Sequence, residues 1–144
     1  MSNQSQRKDK VFGRDDILGL PDPSIHKVHI DALDASVYMR EITAADQERY
    51  EQSMFRVVDK GDGSFEPERD TSNMRSKYLV HVLCDADGNR IFGDEEYELI
   101  GKKRSDVIYE MHEKALELNG GTPKAQEDIK KDLDENPTDA SSSG

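Results

Sequence analysis

The residues whose types and spacing most suggest chemistry lie between positions 85 and 96, in the stretch DADGNRIFGDEE. Acidic or amide side chains stand at Asp85, Asp87, Asn89 and Glu96, which are positions 1, 3, 5 and 12 of the twelve-residue calcium-binding loop. Ca²⁺ binds carboxylate and carbonyl oxygens, so this set of four side chains is a candidate metal site.

Two features of the same stretch argue against calcium. The loop needs glycine at its sixth position, where the chain turns sharply, but Arg90 stands there and Gly88 comes two residues earlier. The loop also needs a preceding helix, and the residues before Asp85 favour a strand. We therefore interpret the stretch as a plain turn, with a calcium-binding module as the alternative.

No other motif predicts catalysis or a cofactor. The four histidines are scattered along the chain, no glycine-rich loop follows a strand and opens a helix, and no nucleophile constellation surrounds the serines. The single cysteine, Cys84, lies in an apolar run, which is typical of a buried and inert thiol. The sequence predicts a protein that is not an enzyme and has no cofactor.

Composition restricts the partners and the compartment. The chain has 144 residues, is 35% charged and carries a net charge of −11, so nucleic acids and anionic membranes are excluded as partners. No secretory signal follows the polar start, and the longest apolar run, YLVHVLC, is too short to span a bilayer. These observations predict a cytoplasmic protein.

The first half of the chain predicts a strand pair followed by a helix. Apolar and polar residues alternate over 27–42 on both sides of the turn-prone DALDA, which indicates two antiparallel strands. Thr43 is a candidate N-cap for a helix over 43–59. Residues 60–73 contain two glycines and a proline without periodicity, so we predict a loop.

The second half predicts one more strand and two helices. Alternation over 78–84 favours a strand, with a helix over 74–84 as the competing prediction, and 90–92 would be a short return strand. Helices are predicted over 94–103 and 105–119. The fold class is α+β: a small domain over 13–120 with short antiparallel strands and about three helices, between a disordered segment 1–12 and a disordered acidic tail 121–144.

Apolar residues on the last two predicted helices are the candidate partner-binding surface. Their helical spacing indicates one apolar stripe, which forms either a contact surface or simply the core. The stripe consists of Tyr97, Leu99, Ile100, Ile108, Met111, Ala115 and Leu118.

The order of four segments resembles the tail assembly chaperones of long-tailed bacteriophages, the class that includes the lambda G protein. These segments are GRDDIL, VYMREITAADQERYE, LVHVLCDADGNRIFGDEEYELIGKK and SDVIYEMHEKALELNG. The resemblance covers about residues 13–120.

This resemblance implies a function. Proteins of this family coat the tape-measure protein before the tail tube forms, recruit tube subunits and are absent from the finished virion. It also implies weak self-association, a location in the host cytoplasm and, in many members, a longer form made by ribosomal frameshifting. The alternatives are a small acidic calcium-binding protein and a host regulatory protein-interaction module.

Overall fold

The computed structural model describes residues 9–120, and within them it confirms an α+β fold. The elements in chain order are α1 (Arg14–Leu18), β1 (Ile25–Ile30), β2 (Ala35–Arg40), α2 (Ala44–Gln52), β3 (Phe55–Asp59), β4 (Phe65–Arg69), α3 (Met74–Val82), β5 (Leu83–Cys84), a 3-10 turn (Asp94–Glu96), α4 (Tyr97–Gly101) and α5 (Ser105–Leu118).

The predicted strand pair is confirmed. β1 and β2 pair antiparallel from Ile25 opposite Arg40 to Ile30 opposite Ala35, and β5 joins β2 on its other side, so the sheet order is β1-β2-β5. Helix α5 holds the turn between β1 and β2. The Glu110 carboxylate accepts hydrogen bonds from the backbone N–H groups of Asp31 (2.5 Å) and Ala32 (2.8 Å).

The strand predicted over 78–84 is wrong, and the competing helix is right for most of it. Residues 74–82 form α3, and only Leu83 and Cys84 are extended. Every residue from Ser76 to Val82 is buried. A helix enclosed on all sides has no polar face, so its sequence lacks the 3.6-residue periodicity that distinguishes a helix from a strand.

The helix predicted over 43–59 is too long, and the loop predicted over 60–73 contains a strand. α2 ends at Gln52, and β3 and β4 then form a separate two-stranded hairpin. Gly61 and Gly63 make the hairpin turn with φ of +84° and +88°, a region that favours glycine. Val57 and Val58 favour extended backbone because they are β-branched.

The remaining elements differ less from those predicted from the sequence. Residues 90–92 form no strand, only one bridge between Cys84 and Arg90. The helix predicted over 94–103 is a 3-10 turn followed by α4, and the helix over 105–119 is α5. With α1 and α3, residues 9–120 contain five α-helices where about three were expected.

The core lies between the three-stranded sheet and helices α3, α4 and α5. Ile30 and Met39 from the sheet, Leu79 and Val80 from α3, and Ala115 from α5 are almost inaccessible to solvent. α3 is therefore the central element, packed on the sheet, α4 and α5.

The predicted domain limits remain a prediction. Segments 1–8 and 121–144 lie outside the described residues, so the disorder predicted for the tail and for most of 1–12 is untested. Within residues 9–120, no helix has the length and apolar character needed to cross a membrane.

Candidate partner-binding groove

An open apolar groove of about 590 Å³ runs between the sheet and the last two helices. β2 and β5 contribute one part of its lining, and α4 and the first half of α5 contribute another. The lining residues are Leu33, Val37, Tyr38, Leu83, Cys84, Ile91, Phe92, Leu99, Ile100, Lys103, Arg104, Val107, Ile108 and Met111.

The groove presents apolar side chains to solvent although the domain has a complete core. Leu33, Ile91 and Leu99 are 43%, 54% and 51% exposed. Beneath them, Ile100 and Ile108 are buried and belong to the core. A contiguous exposed apolar patch of this kind marks an interaction site more often than a single exposed leucine does.

The charge at the groove is positive. Among the described residues that line it, the only charged side chains are Lys103 and Arg104. Arg104 donates two hydrogen bonds to Asp106 (3.1 and 2.5 Å), and this pairing holds the pKa of the Asp106 carboxyl below its usual range. Within residues 9–120, no carboxylate lies within 4 Å of Lys103, so its charge is available to a ligand of the groove.

The stripe predicted from sequence divides between the groove and the core. Leu99, Ile100, Ile108 and Met111 line the groove, although Ile100 and Ile108 are buried. Ala115 is fully buried.

The two ends of the stripe lie outside the groove lining. Leu118 is half-buried against the core. Tyr97 is half-buried too, with the Lys77 ammonium 5.2 Å from its ring centre. The sequence did not single out Leu33 or Ile91, because they come from a turn and an irregular segment without periodicity.

A buried polar network fixes α2 and α3 behind this surface. Asp46 is 3% exposed and accepts hydrogen bonds from Arg40 (2.7 Å) and Arg49 (2.6 Å). Burial alone would raise the pKa of Asp46, but the Thr43 N–H and the two arginines outweigh it and lower the pKa. Arg40 also donates to the carbonyl of His81 at the end of α3 (3.0 Å), where a cation is favoured by the helix dipole.

His81 lies beside this network without a close partner. Its Nδ1 is buried, 3.8 Å from Asp46 Oδ1 and 3.9 Å from Asp94 Oδ1. Burial, followed by the charge of Arg90, lowers the pKa of His81. The network ties α2, β2 and α3 together.

Two side chains of the candidate calcium loop, those of Asp85 and Glu96, have other roles. The Asp85 carboxylate accepts from the N–H groups of Asp87 and Asn89, both at 2.9 Å, and Gly88 has a φ of +87°. Glu96 accepts from the Gly93 N–H at the start of the 3-10 turn (2.7 Å). Within 9–120, no three His, Cys, Asp or Glu side chains are grouped closely enough to hold a metal. Calcium independence stays a prediction.

The comparison with protein families decides the class. The sequence profile described as phage tail assembly chaperone matches residues 25–132, three quarters of the chain. The chain belongs to this family. No curated protein and no solved structure matches it. All the residues that line the groove lie inside the matched range, whereas α1 precedes it.

Proposed function

We propose that the chain is a tail assembly chaperone that binds the tape-measure protein and helps recruit tail tube subunits in the cytoplasm of the bacterial host. In this role it has no catalytic activity and no cofactor, and it is absent from the finished virion. The observation that carries the proposal is the apolar groove with its basic edge, within a chain of this family.

The groove suits the apolar face of an amphipathic helix. The tape-measure protein is a long helical protein that needs shielding until the tube encloses it, and helices of this kind dock into grooves through side chains at i, i+3, i+4 and i+7. A volume of about 590 Å³ holds a few large side chains, not a whole helix. One chaperone therefore covers a short section of the client, and many copies are needed along its length.

The charge distribution supports the same role. A net charge of −11 keeps a complex with an apolar client in solution through mutual repulsion. Lys103 and Arg104 at the groove would attract acidic side chains beside the apolar stripe of the client.

The free edge of β1 is the second candidate contact within this function. The sheet order β1-β2-β5 leaves β1 at an edge, where an extended segment can add a strand through backbone hydrogen bonds. Lys27 on this strand is exposed and disfavours such pairing. The groove is therefore the preferred site.

The test is coexpression with the tape-measure protein of the same phage. Leu99→Asp and Met111→Asp each place a charge in the groove, and an unpaired charge in an apolar contact costs several kcal/mol. We expect Leu99→Asp to keep its circular dichroism spectrum and to leave the tape measure insoluble. Met111 also packs against the core, so Met111→Asp supports the groove only if its spectrum is unchanged and the tape measure is insoluble.

The matched control is Val57→Asp, because Val57 is a 71% exposed apolar residue on the β3–β4 hairpin, outside the groove. It should protect the tape measure like the unchanged chain. A folded Leu99→Asp variant that still keeps the tape measure soluble would mean that the groove does not bind it, and would favour the β1 edge.

A further inference from the structure

The segment before the sheet exposes apolar side chains that contact no core. Every residue from 9 to 22, here called the arm, is exposed, and α1 buries none of its residues. The large apolar residues of the arm, with their exposed fractions, are Val11 (85%), Phe12 (46%), Ile17 (55%), Leu18 (68%) and Leu20 (55%). So many apolar residues in one short segment indicate a docking element.

The arm has a defined shape without a partner. The Asp16 carboxylate accepts from the Gly13 N–H (3.0 Å), and the Gly13 carbonyl accepts from the Ile17 N–H (3.1 Å), so the single helical turn is already capped. Preorganisation of this kind reduces the entropy lost on binding.

The link to the domain favours docking on another copy. Pro21 and Pro23 separate α1 from β1, and each proline fixes its own φ and pushes the residue before it towards extended backbone. A stiff, extended link of this type restricts folding of the arm back onto its own domain. The apolar side chains are therefore presented outward.

The arm and the groove are complementary in chemistry. The arm combines apolar Ile17 and Leu18 with the carboxylates of Asp15 and Asp16 in the same helical turn. The groove combines an apolar lining with Lys103 and with Arg104, whose guanidinium is already paired with Asp106, and it has no acidic lining residue among those described. Apolar contact with charge pairing at the side is the arrangement of a specific interface.

We propose that the arm of one copy docks in the groove of a second copy. When one arm fills one groove, the pair keeps one free arm and one free groove, so the contact is head-to-tail and can propagate into an open string of chaperones. The arm precedes the region that matches the family, and the proposal does not depend on tape-measure binding. The one consequence that rests on the proposed function is competition: a client helix and the arm would share one groove, so free chaperones cover each other until a client displaces the arm.

Complementation between two defective variants tests this proposal on the full chain alone. The arm variant carries Ile17→Ser and Leu18→Ser, and the groove variant carries Ile91→Ser and Leu99→Ser. All four residues are exposed and outside the core cluster, so both variants should fold. By sedimentation velocity over a concentration series, each alone should self-associate at least about tenfold more weakly than the unchanged chain.

The mixture of the two variants gives the decisive result. The arm variant keeps an intact groove and the groove variant keeps an intact arm, so an equal mixture should form a one-to-one dimer and nothing larger. A two-fold contact between like surfaces, arm on arm or groove on groove, gives no such recovery. Absence of recovery, or self-association of the arm variant equal to that of the unchanged chain, overturns the proposal.

Charge exchange provides a second measurement. The Lys103→Glu variant should self-associate more weakly than the unchanged chain. A chain that carries both Lys103→Glu and Asp15→Lys should recover self-association. Asp15 is chosen because Asp16 caps the helical turn. A chain that stays monomeric in every form, with its arm crosslinked to its own groove, also overturns the proposal. None of these outcomes affects the tape-measure proposal, because no client is present.

Discussion

His112 on α5 is a buried histidine that the fold keeps neutral. It is 8% exposed and its ring meets Tyr78 edge-on, with 5.6 Å between ring centres. Burial, followed by the charge of Arg75, lowers the pKa of His112 from 6.5 to about 4. Burial also raises the pKa of Tyr78 to about 12, so both rings stay uncharged near neutral pH.

This shift predicts how stability depends on pH. Between pH 6.5 and about 4, the unfolded chain binds a proton at residue 112 and the folded chain does not. The free energy of unfolding therefore falls as the pH falls through this window. His112→Phe keeps an aromatic ring on Tyr78 and removes the proton site, so its stability should fall less between pH 7 and pH 4.5 in urea titrations.

The control is His29→Gln, because His29 is exposed on β1. His81, whose pKa is also lowered, leaves part of the pH dependence in every variant. If His112→Phe and the unchanged chain lose equal stability between the two pH values, the neutral state assigned to His112 is wrong.

At the scale of elements, α3 is the helix on which the others pack. Leu79 is fully buried at its centre, and truncating a buried leucine to alanine costs about 2–5 kcal/mol. Leu79→Ala should therefore lower the free energy of unfolding by this amount. Leu99 on α4 is half exposed, and Leu99→Ala should change the free energy of unfolding by about 0.5 kcal/mol or less. Denaturant titration of the two variants measures the difference.

Equal losses of unfolding free energy in the two variants would contradict a buried Leu79 and an exposed Leu99. They would mean either that α3 does not form the centre of the core or that the α4 side of the groove is closed in solution. The pair is matched because both are leucine-to-alanine changes within short helices.

The sequence predicted those elements whose two faces differ. The β1–β2 pair alternates and α5 has one apolar stripe, so each leaves a readable pattern. α3 left none, because Ser76 to Val82 are all buried. The β3–β4 hairpin was missed for the opposite reason. Phe55, Val57 and Phe65 are all exposed, so no burial pattern distinguishes it from a loop.

The candidate site was only partly predictable for a related reason. Helical spacing identified Leu99 and Met111 together with core residues on the same helices. Helical spacing could not separate the groove residues from the core residues, because an apolar stripe has the same period whether it faces a core or a partner. Leu33 and Ile91 join the groove only through tertiary packing.

At the scale of the whole molecule, the position of the C-terminal boundary can be tested. Among residues 9–120, the last core side chain is Leu116, with Leu118 packed beside it, and the family match continues to residue 132. We expect removal of 121–144 to leave the melting temperature unchanged, because this segment has too few large apolar residues to add much buried surface. A chain ending at residue 132 is the matched control. A large loss of thermal stability in the shorter chain alone would extend the domain to 132.

The whole molecule is then a small acidic domain with an apolar groove on one side and an arm that carries a matching apolar segment. The two proposals assign the groove to a client helix and, before the client is bound, to the arm of a neighbouring copy. Both proposals require that the groove side of α4 is the surface that binds the partner.

The most direct measurement is site-specific photocrosslinking to the tape-measure protein. A photoreactive phenylalanine replaces Leu99 in the groove, Val57 on the hairpin, or Lys27 on the β1 edge, all of which are exposed. After coexpression and irradiation, we expect a covalent adduct with the tape measure from position 99 and none from 57 or 27. An adduct from position 27 and none from position 99 would contradict this expectation.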